Sequence, residues 1–289
     1  MIQLDSGEIR GVAGDVGQNE VTVLGFRFHA CSPKEKARRR STELWHRKHT
    51  FVHCSLSSPK TAQIGGAVYY NRPVPITRLI FDLDDTLYPA NNGLWDELGQ
   101  RINNFMIERV GIPPERVNET RRHYFQTYGT TLRGLMTNFP AMNPDDFLAY
   151  VHDVDLTPYL SPNPTLDAML AALPQPKAIF TNANADHAHR VLACLGIARH
   201  FSAIVDIHAM NFDNKPLPGA YEALLNRIDA PAAECVLVED SARNLRPAHE
   251  LGMTTVLVGN GLDPDPAIHY RADTILEVGP IIETVISHQ

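Results

Sequence analysis

The sequence has few cysteines and no long apolar run, and each shortage excludes a class of protein. Its four cysteines among 289 residues are too few and too scattered for the disulfide framework of a small secreted domain. No segment approaches the ~18 consecutive apolar residues of a membrane span, so we predict no membrane partner. The net charge of -7 argues against nucleic acid as a partner. With 44% hydrophobic residues, the chain has enough apolar material for one or two domains.

Charge divides the chain at about residue 75. Residues 1–75 carry a net charge of +5, whereas residues 76–289 carry -12. The first segment shows little periodicity and contains a basic cluster, Lys34–Arg40. We expect it to be a poorly ordered extension without a catalytic role, and one hypothesis is that translation starts near Val74. No signal-peptide pattern opens the sequence, so we predict a cytoplasmic protein.

Short apolar runs alternate with amphipathic stretches beyond residue 76. Each run has three to five residues, is rich in branched side chains and ends in polar residues, as expected for strands buried on both faces. The predicted strands are Leu79–Phe81, Ala178–Phe180, Val236–Val238 and Thr255–Val258. Helical patterns lie between them, so the predicted fold class is α/β with a doubly wound, Rossmann-like parallel sheet.

Residues 92–170 interrupt this alternation with helical patterns alone. Apolar residues such as Leu98, Ile102 and Phe105 recur at helical spacing. The predicted helices are Trp95–Val110, Pro114–Tyr128, Thr131–Asn138 and Pro144–Asp153. We therefore divide the chain into an extension (1–75), a core (76–91 and 171–289) and an inserted helical cap (92–170).

Polar residues follow the predicted strands where each strand ends. Ligands of doubly wound sheets bind at the carboxyl ends of the strands, so we expect these side chains to meet. Each acid alone also fits a helix or turn cap, but converging carboxylates repel one another unless a divalent cation lies among them. Oxygen ligands favour Mg²⁺. The set comprises Asp82, Asp84, Asp85, Thr86, Thr181, Asn182, Glu239, Asp240 and Ser241, with Lys215 before a later helix.

These residue types suit phosphoryl transfer. A carboxylate can attack phosphorus and form an aspartyl-phosphate. A lysine and a metal ion neutralise the oxygens of the transferring group, and a hydroxyl holds them. A second carboxylate two residues after the first can protonate the leaving group and later activate water.

Four motifs in order resemble those of the haloacid dehalogenase superfamily. Phe81–Tyr88 (FDLDDTLY) resembles its first motif, Thr181 its second, Lys215 its third and Glu239–Asp240 its acidic fourth. The resemblance covers about residues 76–260. It implies the core fold of this superfamily, subfamily I, with a type-1 helical cap over the site.

The resemblance also implies roles for these residues. Asp82 would be the nucleophile and Asp84 the general acid and base. Thr181, Asn182 and Lys215 would hold the phosphate. Mg²⁺ would be bound by Asp82, the backbone carbonyl of Asp84 and Asp240, with Glu239 assisting.

Finer similarity indicates one branch of the superfamily. Asp84 points to a phosphatase or phosphomutase, because the dehalogenases lack this acid and the transport ATPases have threonine there. The segments Thr181–Ala183, His187–Leu192 and Tyr128–Leu135 resemble the pyrimidine 5′-nucleotidases. This resemblance implies a hydrolase for nucleoside 5′-monophosphates of the UMP and CMP type, with a nucleotide as the small-molecule partner.

Substrate recognition is less well defined by the sequence. Tyr88, Arg133 and His187 are candidate substrate contacts, whereas Trp95, at helical spacing with Leu98, is assigned to the core. Two other enzymes stay open, a general phosphatase and a β-phosphoglucomutase-like enzyme acting on a small sugar or organic phosphate. A receiver-like phosphoacceptor module is the non-enzyme alternative. The sequence does not distinguish a monomer from a homodimer.

Overall fold

The computed structural model describes residues 22–23, 26–27, 62–64, 67–69, 74–259 and 264–287. The chain divides into two compact units, Met1–Ser58 and Pro59–Gln289. The basic cluster Lys34–Arg40 and most of the predicted extension lie outside the described residues. Within the described part of the chain, no helix is long and apolar enough to cross a membrane.

Two short antiparallel pairs are described before residue 74. In the first unit, β1 (Thr22–Val23) pairs with β2 (Phe26–Arg27). In the second unit, β3 (Ala62–Ile64) pairs with β4 (Ala67–Tyr69). The catalytic candidates all lie beyond these pairs.

A six-stranded sheet forms the centre of the second unit. Its spatial order is β10-β9-β8-β5-β6-β7, and every neighbouring pair is parallel. Surrounding helices complete the α/β architecture, so the predicted doubly wound parallel sheet is confirmed. The strands are β5 (Arg78–Phe81), β6 (Lys177–Phe180), β7 (Phe201–Val205), β8 (Cys235–Glu239), β9 (Thr254–Val258) and β10 (Tyr270–Ala272).

The strand order reverses at β5, and the site lies at this reversal. The chain runs from β5 outward to β6 and β7, then returns to the other side of β5 as β8. Phe81 pairs with Ile179 on β6 and with Val238 on β8. The residues that follow these partners therefore meet at one edge of the sheet, where open α/β sheets bind ligands.

Helices fill the connections. Five of them, α1–α5, lie between β5 and β6, and the bounds of α1–α4 agree with the predicted ones within two residues. The helices are α1 (Leu94–Glu108), α2 (Pro114–Tyr128), α3 (Thr131–Asn138), α4 (Pro144–His152), α5 (Pro164–Ala172), α6 (Ala185–Leu195), α7 (Pro218–Ile228), α8 (Ala242–Glu250) and α9 (Val278–Ser287). Helix α5 packs against α9.

Local sequence explains where several helices begin. Proline occupies the first turn of α2, α4, α5 and α7, where its missing N–H costs no hydrogen bond. Side chains at the preceding position accept hydrogen bonds from the first turn of four helices, which satisfies N–H groups that lack a partner within the helix. These N-capping residues are Thr130, Asn143, Asn163 and Asn184.

Candidate active site

A buried lysine joins two carboxylates at the carboxyl edge of the sheet. The Nζ atom of Lys215 donates to Asp82 Oδ1 at 2.6 Å, to Glu239 Oε2 at 2.7 Å and to the Phe180 carbonyl at 2.8 Å. Its side chain is only 2% exposed. A charge buried this deeply needs such partners, because desolvation otherwise favours the neutral amine. Lys215 and Glu239, which belong to the later predicted motifs, therefore lie beside Asp82 of the first motif.

Asp82 is held by its strand and by its own loop. Its backbone N–H donates to the Val238 carbonyl at 2.9 Å, which extends the β5–β8 ladder by one residue. The Thr86 hydroxyl donates to Asp82 Oδ2 at 3.0 Å. With Lys215 on the other oxygen, the carboxylate has a donor on each side and a fixed orientation.

The acidic residues fit a divalent cation. Carboxylate oxygens of Asp82, Glu239 and Asp240 lie within 4.8 Å of one another. Burial and the charge of Glu239 raise the pKa of Asp82 to about 7. Burial likewise raises the pKa of Glu239 to about 7, against the opposing charge of Lys215. A bound cation would relieve this repulsion, and oxygen-only donors are what Mg²⁺ prefers.

Glu239 accepts hydrogen bonds from three different residues. Oε1 accepts from the Ser241 N–H at 3.2 Å and from Asn244 Nδ2 at 3.1 Å. Oε2 accepts from Lys215. Glu239 therefore helps to orient Lys215, and its assisting role in metal binding stays a prediction.

The loops after β6 and before α7 meet beside Asp82. Asn182 Oδ1 accepts from the Lys215 N–H at 2.8 Å, and Asn182 Nδ2 donates to the Lys215 carbonyl at 3.3 Å. Thr181 is 1% exposed, and its hydroxyl accepts from the Ala183 N–H at 3.0 Å. The three residues predicted to hold phosphate thus share one cavity with Asp82.

Asp84 lines the same cavity and has its own donors. The Tyr88 hydroxyl donates to Asp84 Oδ1 at 2.6 Å, and His187 Nε2 lies 3.0 Å from the same oxygen. Burial raises the pKa of Asp84, but the charge and hydrogen bond of His187 and the hydrogen bond of Tyr88 outweigh it and hold the pKa below its ordinary value. The lowered pKa favours the ionised form of Asp84.

Helices α1–α4 supply an apolar wall opposite the acids. The cavity has a volume of about 710 Å³. Most of the wall is buried, but Phe125 is 56% exposed and Trp95 is 38% exposed. The interpretation of Trp95 as a core residue is wrong, because the residue is partly exposed and lines the cavity. The wall comprises Trp95, Leu98, Ile102, Phe125, Leu132, Phe147, Leu148 and Val151.

The three predicted substrate contacts lie outside the cavity wall. Tyr88 is 3% exposed and gives its hydroxyl to Asp84. Arg133 donates to the Phe212 carbonyl at 3.0 Å and pairs with Asp213 at 3.3 Å. His187 is fully buried. In the structure each of these side chains contacts other protein groups, and its contact with substrate remains a prediction.

Other site residues had no predicted role. Asp85 lines the cavity in a left-handed backbone conformation with φ of 64°, and its buried Oδ1 has no hydrogen-bond partner. Burial and the charges of Asp84 and Asp82 raise its pKa to about 7. His152 also lines the cavity, and burial with the adjacent His187 lowers its pKa to about 3. His152 ends its helix 70 positions after Asp82, and no sequence pattern indicates that it lines the same cavity.

The arrangement supports nucleophilic displacement at a bound anion. Asp82 offers a fixed carboxylate, Lys215 offers positive charge beside it, and Asp84 offers a proton acceptor two residues later. Apolar side chains of helices α1–α4 line the other side of the cavity. These are the elements that covalent catalysis by a carboxylate requires.

The chain is similar to known proteins in sequence and in fold. "Phosphate metabolism protein 8" of Saccharomyces cerevisiae is 30% identical to this chain over 203 residues, which are 64% of this chain and 62% of that protein. The chain thus spans less than two thirds of that relative. The crystal structure of CbbY from Rhodobacter sphaeroides in complex with phosphate shares the fold, with a TM-score of 0.52 and 20% identity, over 71% of this chain and 96% of that one.

A family model supplies the assignment. The model of the haloacid dehalogenase-like hydrolases matches residues 76–252, which include every strand-end residue described above. A receiver-like module is not supported by this match. The chain belongs to the haloacid dehalogenase-like hydrolase family.

Proposed function

We propose that the protein is a Mg²⁺-dependent phosphomonoesterase that hydrolyses pyrimidine nucleoside 5′-monophosphates through an aspartyl-phosphate. The observation that carries the proposal is the pairing of Asp82 with Lys215 at 2.6 Å, with Asp84 in the same cavity. A cationic lysine beside the nucleophile serves to hold an incoming phosphate against it.

In the first step, an oxygen of Asp82 forms a bond to phosphorus while the bond to the leaving oxygen breaks. Asp84 gives its proton to that leaving oxygen, so the nucleoside departs neutral. Thr181, Asn182 and Lys215 hold the phosphate oxygens. General acid catalysis of this kind contributes roughly 10²- to 10⁴-fold.

In the second step, water attacks the phosphorus of the aspartyl-phosphate. Asp84, now ionised, takes a proton from that water, and the bond from phosphorus to Asp82 breaks. Phosphate leaves and both carboxyl groups return to their starting state. The lowered pKa of Asp84 favours the ionised form from which this step begins, and Asp84 must take up a proton before it acts as the acid of the first step.

Mg²⁺ would be held by Asp82, Asp240 and the backbone carbonyl of Asp84, with Glu239 assisting. When bound, it would neutralise negative charge on the phosphoryl oxygens. The close approach of Asp82, Glu239 and Asp240 supports this proposal.

The cavity favours a nucleotide over a small sugar phosphate. Its volume of about 710 Å³ suits a drug-sized ligand. The wall opposite the acids is apolar, with the aromatic rings of Trp95 and Phe125 at the solvent-exposed part. A planar base can pack on such rings, whereas a small sugar phosphate has only hydroxyls to offer them. The name of the yeast relative, which refers to phosphate metabolism, supports a phosphate ester as substrate.

The decisive experiment is a substrate profile. Phosphate release is measured with Mg²⁺ on UMP, CMP, AMP, phosphoglycolate and sugar phosphates, with Asp82→Asn as the inactive control. We expect the highest kcat/KM on UMP or CMP. A tenfold preference for a small sugar phosphate would refute the nucleotide assignment, and isomerisation without phosphate release would indicate a mutase.

The metal is tested by thermal unfolding, which needs no activity. We expect millimolar Mg²⁺ to raise the Tm of the protein, because a ligand of the native state stabilises it. Asp240→Asn should abolish most of this shift. An equal shift in the wild type and in Asp240→Asn would contradict the assigned metal site.

A further inference from the structure

Both donors to Asp84 act on the same oxygen. Tyr88 Oη and His187 Nε2 contact Oδ1 at 2.6 and 3.0 Å. Among the described residues, none donates a hydrogen bond to Oδ2 of this carboxylate. The Asp84 side chain is 13% exposed and lines the cavity, so Oδ2 is the oxygen available to a leaving group or a water.

The His187 ring is placed by its helix. Its backbone N–H donates to the Asn184 side chain at 3.2 Å, so the residue lies in the first turn of α6. The ring is fully buried, and its Nδ1 has no hydrogen-bond partner. We place a proton on Nε2, because Asp84 Oδ1 is its hydrogen-bond acceptor.

The end of helix α4 covers this ring. His152, the last residue of α4, stacks on His187 with ring centroids 4.4 Å apart and an interplanar angle of 21°. Arg190 of helix α6 donates to the His152 carbonyl at 2.7 Å and also to the Val154 carbonyl. Helix α4 is therefore held over the residue that contacts Asp84.

We propose that His187 is a positioning residue that, with Tyr88, fixes Asp84 Oδ1 so that Oδ2 transfers the proton, and that His152 couples this placement to helix α4. The inference rests on the proposed function, because Asp84 acts there as the acid and base. It assigns to the helical segment a role in proton transfer besides that of enclosing the substrate.

Leaving-group dependence distinguishes positioning from a merely structural role. A nucleoside is a poor leaving group and needs a proton as the bond to phosphorus breaks, whereas p-nitrophenolate needs almost none. Misplacing Asp84 should therefore slow the first step for UMP and spare it for p-nitrophenyl phosphate. General damage to the fold would slow both.

The experiment measures leaving-group release in a single turnover for both substrates. We expect His187→Ala to slow release from UMP about 100-fold and release from p-nitrophenyl phosphate less than threefold. His187→Gln, whose amide N–H replaces Nε2–H, should release the nucleoside from UMP at least tenfold faster than His187→Ala does. The shorter His187→Asn should not. If His187→Ala does not fold, the comparison of His187→Gln with His187→Asn still tests the proposal.

The chain offers a matched control. His200 Nε2 lies 2.7 Å from Asp167 Oδ1, and its side chain is 10% exposed, in a contact outside the cavity. His200→Asn should leave both rates unchanged. Equal slowing of both substrates by the His187 variants, or no slowing at all, overturns the inference while the proposed function stands. Absence of turnover by the wild type overturns both.

The coupling to helix α4 is tested at His152. His152→Ala removes the stacked ring, and we expect the same leaving-group pattern as for His187→Ala at smaller amplitude. His152→Phe keeps a flat ring over His187 and should retain more of the UMP rate than His152→Ala. Equal loss in the two variants would overturn the coupling.

Discussion

The two sides of the cavity are built by different interactions. At the strand ends, Asp82, Lys215 and Glu239 are joined by hydrogen bonds of 2.6 to 2.7 Å. On the helical side, the wall is apolar and its side chains are held by packing. In the proposed function, the strand-end side carries out the reaction and the helical side selects the substrate. Substitutions on the two sides should therefore change different quantities.

The largest expected effect follows removal of the buried cation. Lys215→Met leaves Asp82 and Glu239 buried without their counter-ion, and we expect a loss of about 3–5 kcal/mol in the free energy of unfolding together with loss of activity. Urea unfolding followed by circular dichroism measures it. The double variant Lys215→Met/Glu239→Gln should regain part of the stability, because it buries one charge fewer. Wild-type stability in the single variant would contradict the described charge network.

Removal of the acid and base affects rate rather than stability. We expect Asp84→Asn to lower kcat by about 10²- to 10⁴-fold. Its affinity for Mg²⁺, measured by calorimetry, should change little, since the proposed ligand is the backbone carbonyl. A parallel loss of metal affinity and rate would show that the side chain itself binds the metal.

On the helical side, the exposed aromatics should affect substrate affinity. We expect Phe125→Ala or Trp95→Ala to raise KM for UMP by about 5- to 20-fold, the lower part of what base–aromatic stacking contributes. KM for phosphoglycolate should not change. Phe147→Ala is the matched control, because this ring is 5% exposed and its loss should destabilise the fold instead. Equal KM changes for both substrates would argue against base stacking.

The smallest effect concerns a contact between helix α4 and the loop after β7. His208 Nε2 lies 2.7 Å from Asp145, and this hydrogen bond raises the pKa of His208. Because the pKa of His208 is raised in the folded state, the contact stabilises the fold fully at a pH below the pKa of the unfolded state. This stabilisation is lost as the pH rises through the pKa of the folded state. The side chain is 45% exposed, so we expect less than about 1 kcal/mol.

Urea unfolding of the wild type and Asp145→Asn at acid and alkaline pH measures this contribution. The variants should differ below the pKa of His208 and converge above it. High salt should reduce the difference, since exposed ion pairs are screened. A difference that grows with pH would contradict the assigned contact.

The strand-end half of the site was predictable from sequence, and the helical half was not. Asp82, Thr181 and Glu239 each follow a short apolar run, and parallel strands bring such positions together whatever the loops between them do. Strand β7, by contrast, has a partly exposed FSAIV sequence without a clear apolar run. Its place at the sheet edge depends on pairing with β6, which periodicity does not show.

The orientation of helical side chains depends on tertiary packing. Trp95 shares its spacing with Leu98 and both line the cavity, yet Trp95 is 38% exposed whereas Leu98 is 2% exposed. The contact of His187 with Asp84 joins residues 103 positions apart, and the stacking of His152 depends on where α4 ends. Spacing along one helix does not determine what lies opposite it.

The sequence separation within the ion pair has a consequence for biosynthesis. Lys215 follows Asp82 by 133 positions, and Glu239 comes 24 positions later still. At about 5–20 residues per second, the ribosome adds Lys215 roughly 7–27 s after Asp82. Until then Asp82, the proposed nucleophile, has neither its cation nor its neighbouring strand β8. We therefore expect the complete site to form only when most of the sheet has been translated.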